Sequence, residues 1–92
     1  MDLIAKISKD KEMLYSLGKK YYYEILENES EFRNLKEKRN SIYITVDHDM
    51  IQTGAIGIKF YLYQNENLRN GYYVLYVDEN YDFVDEFLVT DF

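Results

Sequence analysis

The stretch that decides the fold of this chain is Ala55-Ile56-Gly57-Ile58-Lys59-Phe60-Tyr61-Leu62-Tyr63. Its large aliphatic and phenylalanine side chains stand at every second position: Ile56, Ile58, Phe60 and Leu62. Because successive side chains of a β-strand point to opposite faces of a sheet, this alternation predicts a strand with one apolar face. We therefore expect a sheet whose apolar face is covered by a second layer of structure.

Three further segments predict strands. The first is Ile42–Val46, where strict alternation places three side chains inward: Ile42, Ile44 and Val46. The others are Tyr72–Val77 and Phe83–Val89. In the last strand we expect one shared face for Phe83, Phe87 and Val89, with Asp85 beside Phe87, and the opposite face for Glu86 and Leu88.

The segments between these strands are polar and short. We expect a loop over residues 47–54, a connection over residues 64–71 that ends in an Asn70-Gly71 turn, and a second turn over residues 78–82. Strands that follow one another through such short connections pair antiparallel. The four strands should therefore form an antiparallel meander.

The first third of the chain predicts helix. A helix from Lys11 to about Asn28, capped by Ser8 or Asp10, carries an apolar stripe at helical spacing: Leu14, Leu17, Tyr21 and Ile25. Gly18 inside this helix either lowers its stability or marks a close backbone contact. Residues 3–7 suit either an edge strand or a helical turn.

A second, short helix is predicted from Glu31 to about Arg39, with Ser30 as its cap and Phe32 and Leu35 as its anchors. The fold class is then α+β, with one or two N-terminal helices packed on one face of the four-stranded antiparallel meander sheet. At 92 residues the chain should form one domain, residues 1–92.

Composition excludes several classes of protein. The chain has no Cys, so disulfides and thiolate metal sites are absent. No apolar run approaches the ~18 residues of a membrane helix, and Met1–Lys6 does not resemble a signal peptide. We therefore expect a cytoplasmic protein with no membrane contact.

Catalytic and metal-binding patterns are weak. Asp47-His48-Asp49 is the one cluster resembling a metal or acid–base site, but three adjacent residues rarely converge on one ion. The run from Asp78 to Asp82 resembles a calcium loop, yet Phe83 and Val89 stand where that loop requires Gly and Glu. We therefore predict no enzyme activity, no metal and no cofactor.

Charge is unevenly distributed. Residues 1–46 hold nine Lys and Arg and eight Asp and Glu, whereas residues 47–92 hold two bases and nine acids. Residues 71–92 contain six acids and no base. A field of one sign repels nucleic acid and attracts basic surfaces. The C-terminal hairpin is therefore the predicted partner-binding site, through Tyr76, Asp78, Glu79, Tyr81, Asp82, Asp85 and Glu86.

One neighbourhood is both basic and aromatic: Lys19–Tyr23 with Arg33, Lys36, Lys38 and Arg39. Phosphate contacts and base stacking use such residues. The same segments hold five glutamates, however, and the net charge of the chain is −6. We therefore expect no direct contact with nucleic acid, and a partner that is a protein with a basic surface, either a nuclease or a ribonucleoprotein effector.

The profile as a whole is similar to two groups of small binding proteins: phage-encoded inhibitors of bacterial defence, such as anti-CRISPR proteins, and immunity proteins that neutralise toxins. This resemblance covers composition and carries over no functional residue. It implies an inhibitor of a nucleic-acid-processing defence enzyme, with toxin immunity as the alternative. A small enzyme using Asp47 and His48, or an oligomeric structural subunit built on the tyrosine-rich sheet, are further alternatives; the chain itself is expected as a monomer or homodimer.

Overall fold

The computed structural model describes residues 2–29, 35–45, 54–65 and 68–90. Two helices come first and four strands follow: α1 Leu3–Lys9, α2 Lys11–Asn28, β1 Lys36–Thr45, β2 Ala55–Asn65, β3 Leu68–Val77 and β4 Phe83–Thr90. The strands lie in the order β1-β2-β3-β4, and each is antiparallel to the next. The predicted α+β fold, with helices on one face of a four-stranded meander, is confirmed.

The first residues are helical. In α1 the Asp2 carboxylate accepts a hydrogen bond from the Ala5 N–H at 2.8 Å, which satisfies a donor that the first turn leaves free. Asp10 stands at the start of α2, as predicted, but its side chain caps no helix N–H. Its carboxylate instead accepts a hydrogen bond from the Tyr81 hydroxyl at 2.6 Å, which links the helices to the far end of the sheet.

The buried face of α2 differs from the predicted stripe. The buried residues are Leu14, Tyr15, Gly18, Tyr22 and Leu26, while Leu17, Tyr21 and Ile25 are only partly buried. The predicted stripe was therefore wrong beyond Leu14, but the close backbone contact that was one alternative for Gly18 is confirmed. A Cβ at Gly18 would lie 2.7 Å from the Phe60 ring, so the missing side chain is what admits that ring against the helix.

The core lies between α2 and one face of the sheet. All four apolar side chains of the β2 alternation are at most 1% exposed. On β3 the same face carries three buried side chains: Tyr73, Leu75 and Val77. Tyr22 is fully buried, and its hydroxyl donates to the Leu35 carbonyl at 3.0 Å, so its one polar atom is satisfied.

The predicted second helix is wrong over residues 36–39, which belong to β1; residues 30–34 lie outside the described part of the chain. Lys36 pairs with Tyr63, and Arg39 pairs with Phe60. The strand that was predicted to begin at Ile42 therefore begins six residues earlier. Backbone pairing with β2 prevails here over the helical propensity of charged residues.

The polar connection predicted over residues 64–71 is wrong where the structure describes it, and residues 66 and 67 lie outside the described part of the chain. Residues 64 and 65 extend β2, and residues 68–71 open β3, so Asn70-Gly71 lies inside a strand. A shift in register accompanies it: Leu62 pairs with Gly71, whereas Tyr63 pairs with Arg69. Gly71 has a φ of 149° and approaches β4 so closely that a Cβ would lie 1.9 Å from the Val89 carbonyl oxygen. Glycine is required here by a β-bulge and not by a turn.

On β4 a second bulge changes one predicted face. Tyr76 pairs with Asp85, but Val77 pairs with Phe83, so one extra residue stands in β4. Phe83 consequently turns toward the helices, and its ring centroid lies 5.3 Å from that of Tyr21. Phe87 and Val89 lie on the opposite face of the sheet, and Asp85 lies there beside Phe87, as predicted. A bulge reverses the alternation that the sequence pattern assumes.

Candidate binding surfaces

The β3–β4 turn, residues 78–82, is tightly organised. The Asp78 carboxylate accepts hydrogen bonds from the N–H groups of Asn80 and Asp82, at 2.8 and 3.0 Å. Backbone bonds close the turn further, from the Asp78 N–H to the Asp82 carbonyl and from the Tyr81 N–H to the Asp78 carbonyl. Tyr81 adopts a φ of 67°, a conformation that a non-glycine residue holds only when its surroundings impose it. Asp78 therefore shapes the turn.

The turn is also docked on the helical side of the sheet. The Lys6 ammonium donates to the Glu79 carbonyl, and it lies 4.5 Å from the centroid of the Tyr81 ring. The Tyr81 hydroxyl reaches Asp10, and burial together with this hydrogen bond raises the pKa of Tyr81 to about 12. Tyr81 packs against the core, so its ring serves as an anchor for the turn.

The predicted partner-binding residues lie in three places. Glu79 and Asp82 are exposed at the turn, and in the described ranges neither carboxylate forms an ion pair. Tyr76 and Asp85 lie together on the sheet face that carries no helix. Glu86 points to the helical face, where it accepts a hydrogen bond from the Tyr73 hydroxyl at 2.9 Å. Burial first, and then the Glu86 charge, raise the pKa of Tyr73.

The last strand combines this charge with exposed apolar area. β4 is an edge strand of the sheet, and two of its phenylalanines, Phe83 and Phe87, are 45% and 47% exposed. Such an edge offers both backbone hydrogen-bonding groups and apolar contact area. The acidic turn and this edge are contiguous, because β4 begins directly after Asp82.

The sequence suggested a tyrosine-rich sheet but did not indicate that basic residues share one of its faces. We call the sheet face opposite the helices the open face. Paired residues share a face, so the register assigns to it six aromatic side chains: Tyr43, Tyr61, Tyr63, Tyr72, Tyr76 and Phe87. Gly57 lies beneath the Tyr43 ring, where a Cβ would stand 2.5 Å from Cζ. The Tyr43 and Tyr76 hydroxyls are 2.8 Å apart, and Tyr76 meets Phe87 edge-on.

Basic residues lie among these rings. Lys59 Nζ stands 4.7 Å from the Tyr72 ring centroid and 5.3 Å from that of Tyr61, and the Arg69 guanidinium lies 4.6 Å from the latter. Lys38 lies 4.6 Å from the Tyr63 centroid. These contacts have cation–π geometry. The pattern is invisible along the chain because β1, β2 and β3 each contribute only one or two of the cations.

The basic and aromatic neighbourhood predicted around Lys19 is divided by the fold. Lys19 pairs with Glu37 at 3.3 Å, and Arg39 pairs with Glu12 at 2.7 Å, both on the helical side. The Arg39 hydrogen bond, more than its charge, lowers the pKa of Glu12. Lys38 instead belongs to the open face. The first two cations are therefore already matched by carboxylates.

In the described ranges no three of His, Cys, Asp and Glu group closely enough to hold a metal ion. Asp47, His48 and Asp49 lie outside those ranges. The helices of this part of the chain are also too short or too polar to span a membrane. No family model, curated protein or solved structure matches the chain, so any function must be argued from its own residues.

Proposed function

We propose that this chain is a non-enzymatic binding protein that inhibits a nucleic-acid-processing enzyme of bacterial defence by occupying a basic surface of that enzyme. One observation carries the proposal: the β3–β4 turn holds Glu79 and Asp82 exposed, without ion pairs among the described residues, on a backbone that Asp78 and Tyr81 fix in place. Preorganised charge binds with little loss of conformational entropy.

The edge strand β4, which follows the turn, supplies the aromatic contact area that charge alone does not. Charged groups at the rim of an interface mainly raise the association rate, whereas aromatic anchors slow dissociation. Phe83 is half exposed directly after the acidic turn, on the helical side where the turn is docked, so both kinds of contact are available within one hairpin. Nucleases and nucleic-acid-guided effectors expose the basic channels that this surface complements.

The first experiment is an affinity capture from a lysate of the native host, run in parallel with three proteins. These are the wild type, a turn variant carrying Glu79→Gln and Asp82→Asn, and a control carrying Glu27→Gln and Glu29→Gln at the exposed end of α2. Both variants lose the same charge. Asp78 is left unchanged because its carboxylate shapes the turn.

We expect the wild type and the control to retain a nuclease or ribonucleoprotein and to inhibit its activity, and the turn variant to retain much less. The captured enzyme should associate more slowly with the turn variant, and raising the salt concentration should reduce that difference. Equal capture by both variants, or recovery of no nucleic-acid-processing enzyme, would contradict the proposal.

The same capture separates the alternative from the main proposal. Immunity proteins act on toxins, so recovery of a toxin whose activity the chain blocks would assign that role instead. The acidic turn would remain the contact surface in that case if the turn variant fails to retain the toxin. A captured partner with no basic surface would contradict both the inhibitor role and the immunity role.

A further inference from the structure

We propose that the open face of the sheet binds single-stranded nucleic acid, with bases stacked on its tyrosines and phosphates held by its basic residues. Among the described residues, the register places on this face four cations, Lys36, Lys38, Lys59 and Arg69, and a single acid, Asp85. Within residues 2–29, 35–45, 54–65 and 68–90 the helices contact only the other face. A chain of net charge −6 thus carries one cationic surface.

The four cations have no carboxylate partner in the described ranges. The ion pairs there are Lys19 with Glu37 and Arg39 with Glu12, both on the helical side. On the open face three of them, Lys38, Lys59 and Arg69, lie over tyrosine rings instead. A cation–π contact at a partly exposed position is weak, so a phosphate oxygen can replace the ring as the partner of the cation.

The rings are arranged for stacking. Tyr61 and Tyr72 are cross-strand neighbours, and Tyr63 follows two residues later, about 7 Å further along β2. Lys59, Tyr61, Arg69 and Tyr72 line a shallow depression of about 220 Å³ at this end of the face. Aromatic side chains in a positively charged groove are how single strands are bound without regard to sequence.

A single strand suits this surface better than a duplex or an acidic protein. A duplex keeps its base faces inside the stack, so the tyrosines would contribute nothing to its binding. An acidic peptide would use the cations but leave the rings without stacking partners. Because the rings outnumber the cations on the open face, the ligand should present flat faces as well as negative charge.

This inference replaces the sequence-based expectation of no direct nucleic-acid contact. Lys59 and Arg69 stand in the acidic half of the chain, far in sequence from Lys36 and Lys38, and only strand pairing collects them. It is independent of the proposed inhibitor function, which rests on Glu79 and Asp82 at the helical side of the turn. Either can fail without the other.

The test is fluorescence anisotropy of labelled oligothymidine and oligouridine of about 12 nucleotides, a length within the ~4–16 nucleotides that one small fold covers. With about three phosphates neutralised, affinity should fall about 20-fold between about 50 and 200 mM salt. Lys59→Gln with Arg69→Gln should weaken binding at least ~10-fold at low salt. Lys9→Gln with Lys11→Gln, the same charge change on exposed helical positions, should weaken it less than ~3-fold.

A third variant, Tyr61→Leu, keeps apolar bulk and removes the π-face; it should bind ~5- to 10-fold more weakly. Circular dichroism checks folding, and the lysine–arginine pair remains informative if Tyr61→Leu unfolds. The proposal is overturned by no anisotropy change at about 100 µM protein in low salt. Four other outcomes would also overturn it. Two concern affinity: equal losses of affinity in the two double variants, and tighter binding of duplex than of single strand. The others are displacement of the oligonucleotide by polyglutamate as readily as by unlabelled single strand, and a chain that self-associates with its open face covered.

Discussion

The two faces of β2 show how one strand serves two purposes. Toward the helices it presents Ile58, Phe60 and Leu62, all essentially inaccessible to water. Toward the other side it presents Gly57, Lys59 and tyrosines that stay partly exposed. The first set supplies the hydrophobic burial on which folding depends. The second set is aromatic and basic, and it forms the open face for which we propose nucleic-acid binding.

The sharpest contrast is between adjacent residues of β2. Leu62→Ala should reduce the free energy of unfolding by about 2–5 kcal/mol, because it leaves a cavity in the core. Tyr61→Ala should cost less than about 1 kcal/mol, the worth of its cross-strand contacts. Urea unfolding of both variants measures the difference. Equal losses would mean that the open face is part of the folding core.

Two glycine substitutions test the same contrast between the faces of β2, with smaller expected changes in the free energy of unfolding. Gly18→Ala should destabilise by about 1–2 kcal/mol, because overpacking against the confined Phe60 ring outweighs the gain in helix propensity. Gly57→Ala meets the outer part of the Tyr43 ring, which is only partly buried and can move at the cost of its hydroxyl contact with Tyr76, so the change should stay below about 1 kcal/mol. Thermal unfolding distinguishes them, and a larger loss at Gly57 would reverse their ranking.

Alkaline pH should act on the half-buried tyrosines of both sheet faces, because burial also raises the pKa of Tyr43 on the open face. Burial raises the pKa values of Tyr22 and Tyr73, and that of Tyr81 rises to about 12 from its ordinary value of 10.0. A pKa raised by folding stabilises the native state below pH 10.0, and that stabilisation is lost as the pH climbs toward 12. Unfolding free energy measured across this window should therefore fall.

The Tyr81→Phe variant sharpens that pH experiment. It keeps the ring that anchors the turn and removes the hydroxyl that donates to Asp10. The decline of stability above pH 10.0 should become shallower than in the wild type. An unchanged slope would show that the Tyr81 hydroxyl titrates freely in the folded protein.

The smallest expected effect concerns the ion pair between Glu12 and Arg39. Both side chains are well exposed, so Glu12→Gln should lower the free energy of unfolding only slightly. High salt should erase even that difference. A loss as large as that of Gly18→Ala, persisting at high salt, would place the pair among the interactions that hold α2 on β1.

Sequence reasoning recovered the architecture because the alternation in β2 and the length of α2 are strong local signals. It failed where tertiary pairing decides: residues 36–39 have helical composition but pair with β2, and the Phe83 bulge reverses a face. The basic residues of the open face were missed for a related reason. They come from three strands, and no linear window holds more than two of them.

The seven predicted contact residues show the same limit. The acidic run correctly located an exposed turn, but period-two alternation could not indicate that Tyr81 folds back onto Asp10. Nor could it indicate that Asp78 serves the backbone of its own turn. Both facts depend on side-chain contacts that no composition or spacing encodes.

The most direct test of a division between a folding face and a binding face is a nuclear magnetic resonance titration of the protein carrying ring-labelled tyrosine. Increasing oligothymidine should shift the ring signals of Tyr61, Tyr63 and Tyr72 on the open face. The signals of the buried Tyr22 and Tyr73 should stay in place and report an unchanged core. Open-face rings that do not respond, or buried rings that shift as much, would contradict the division.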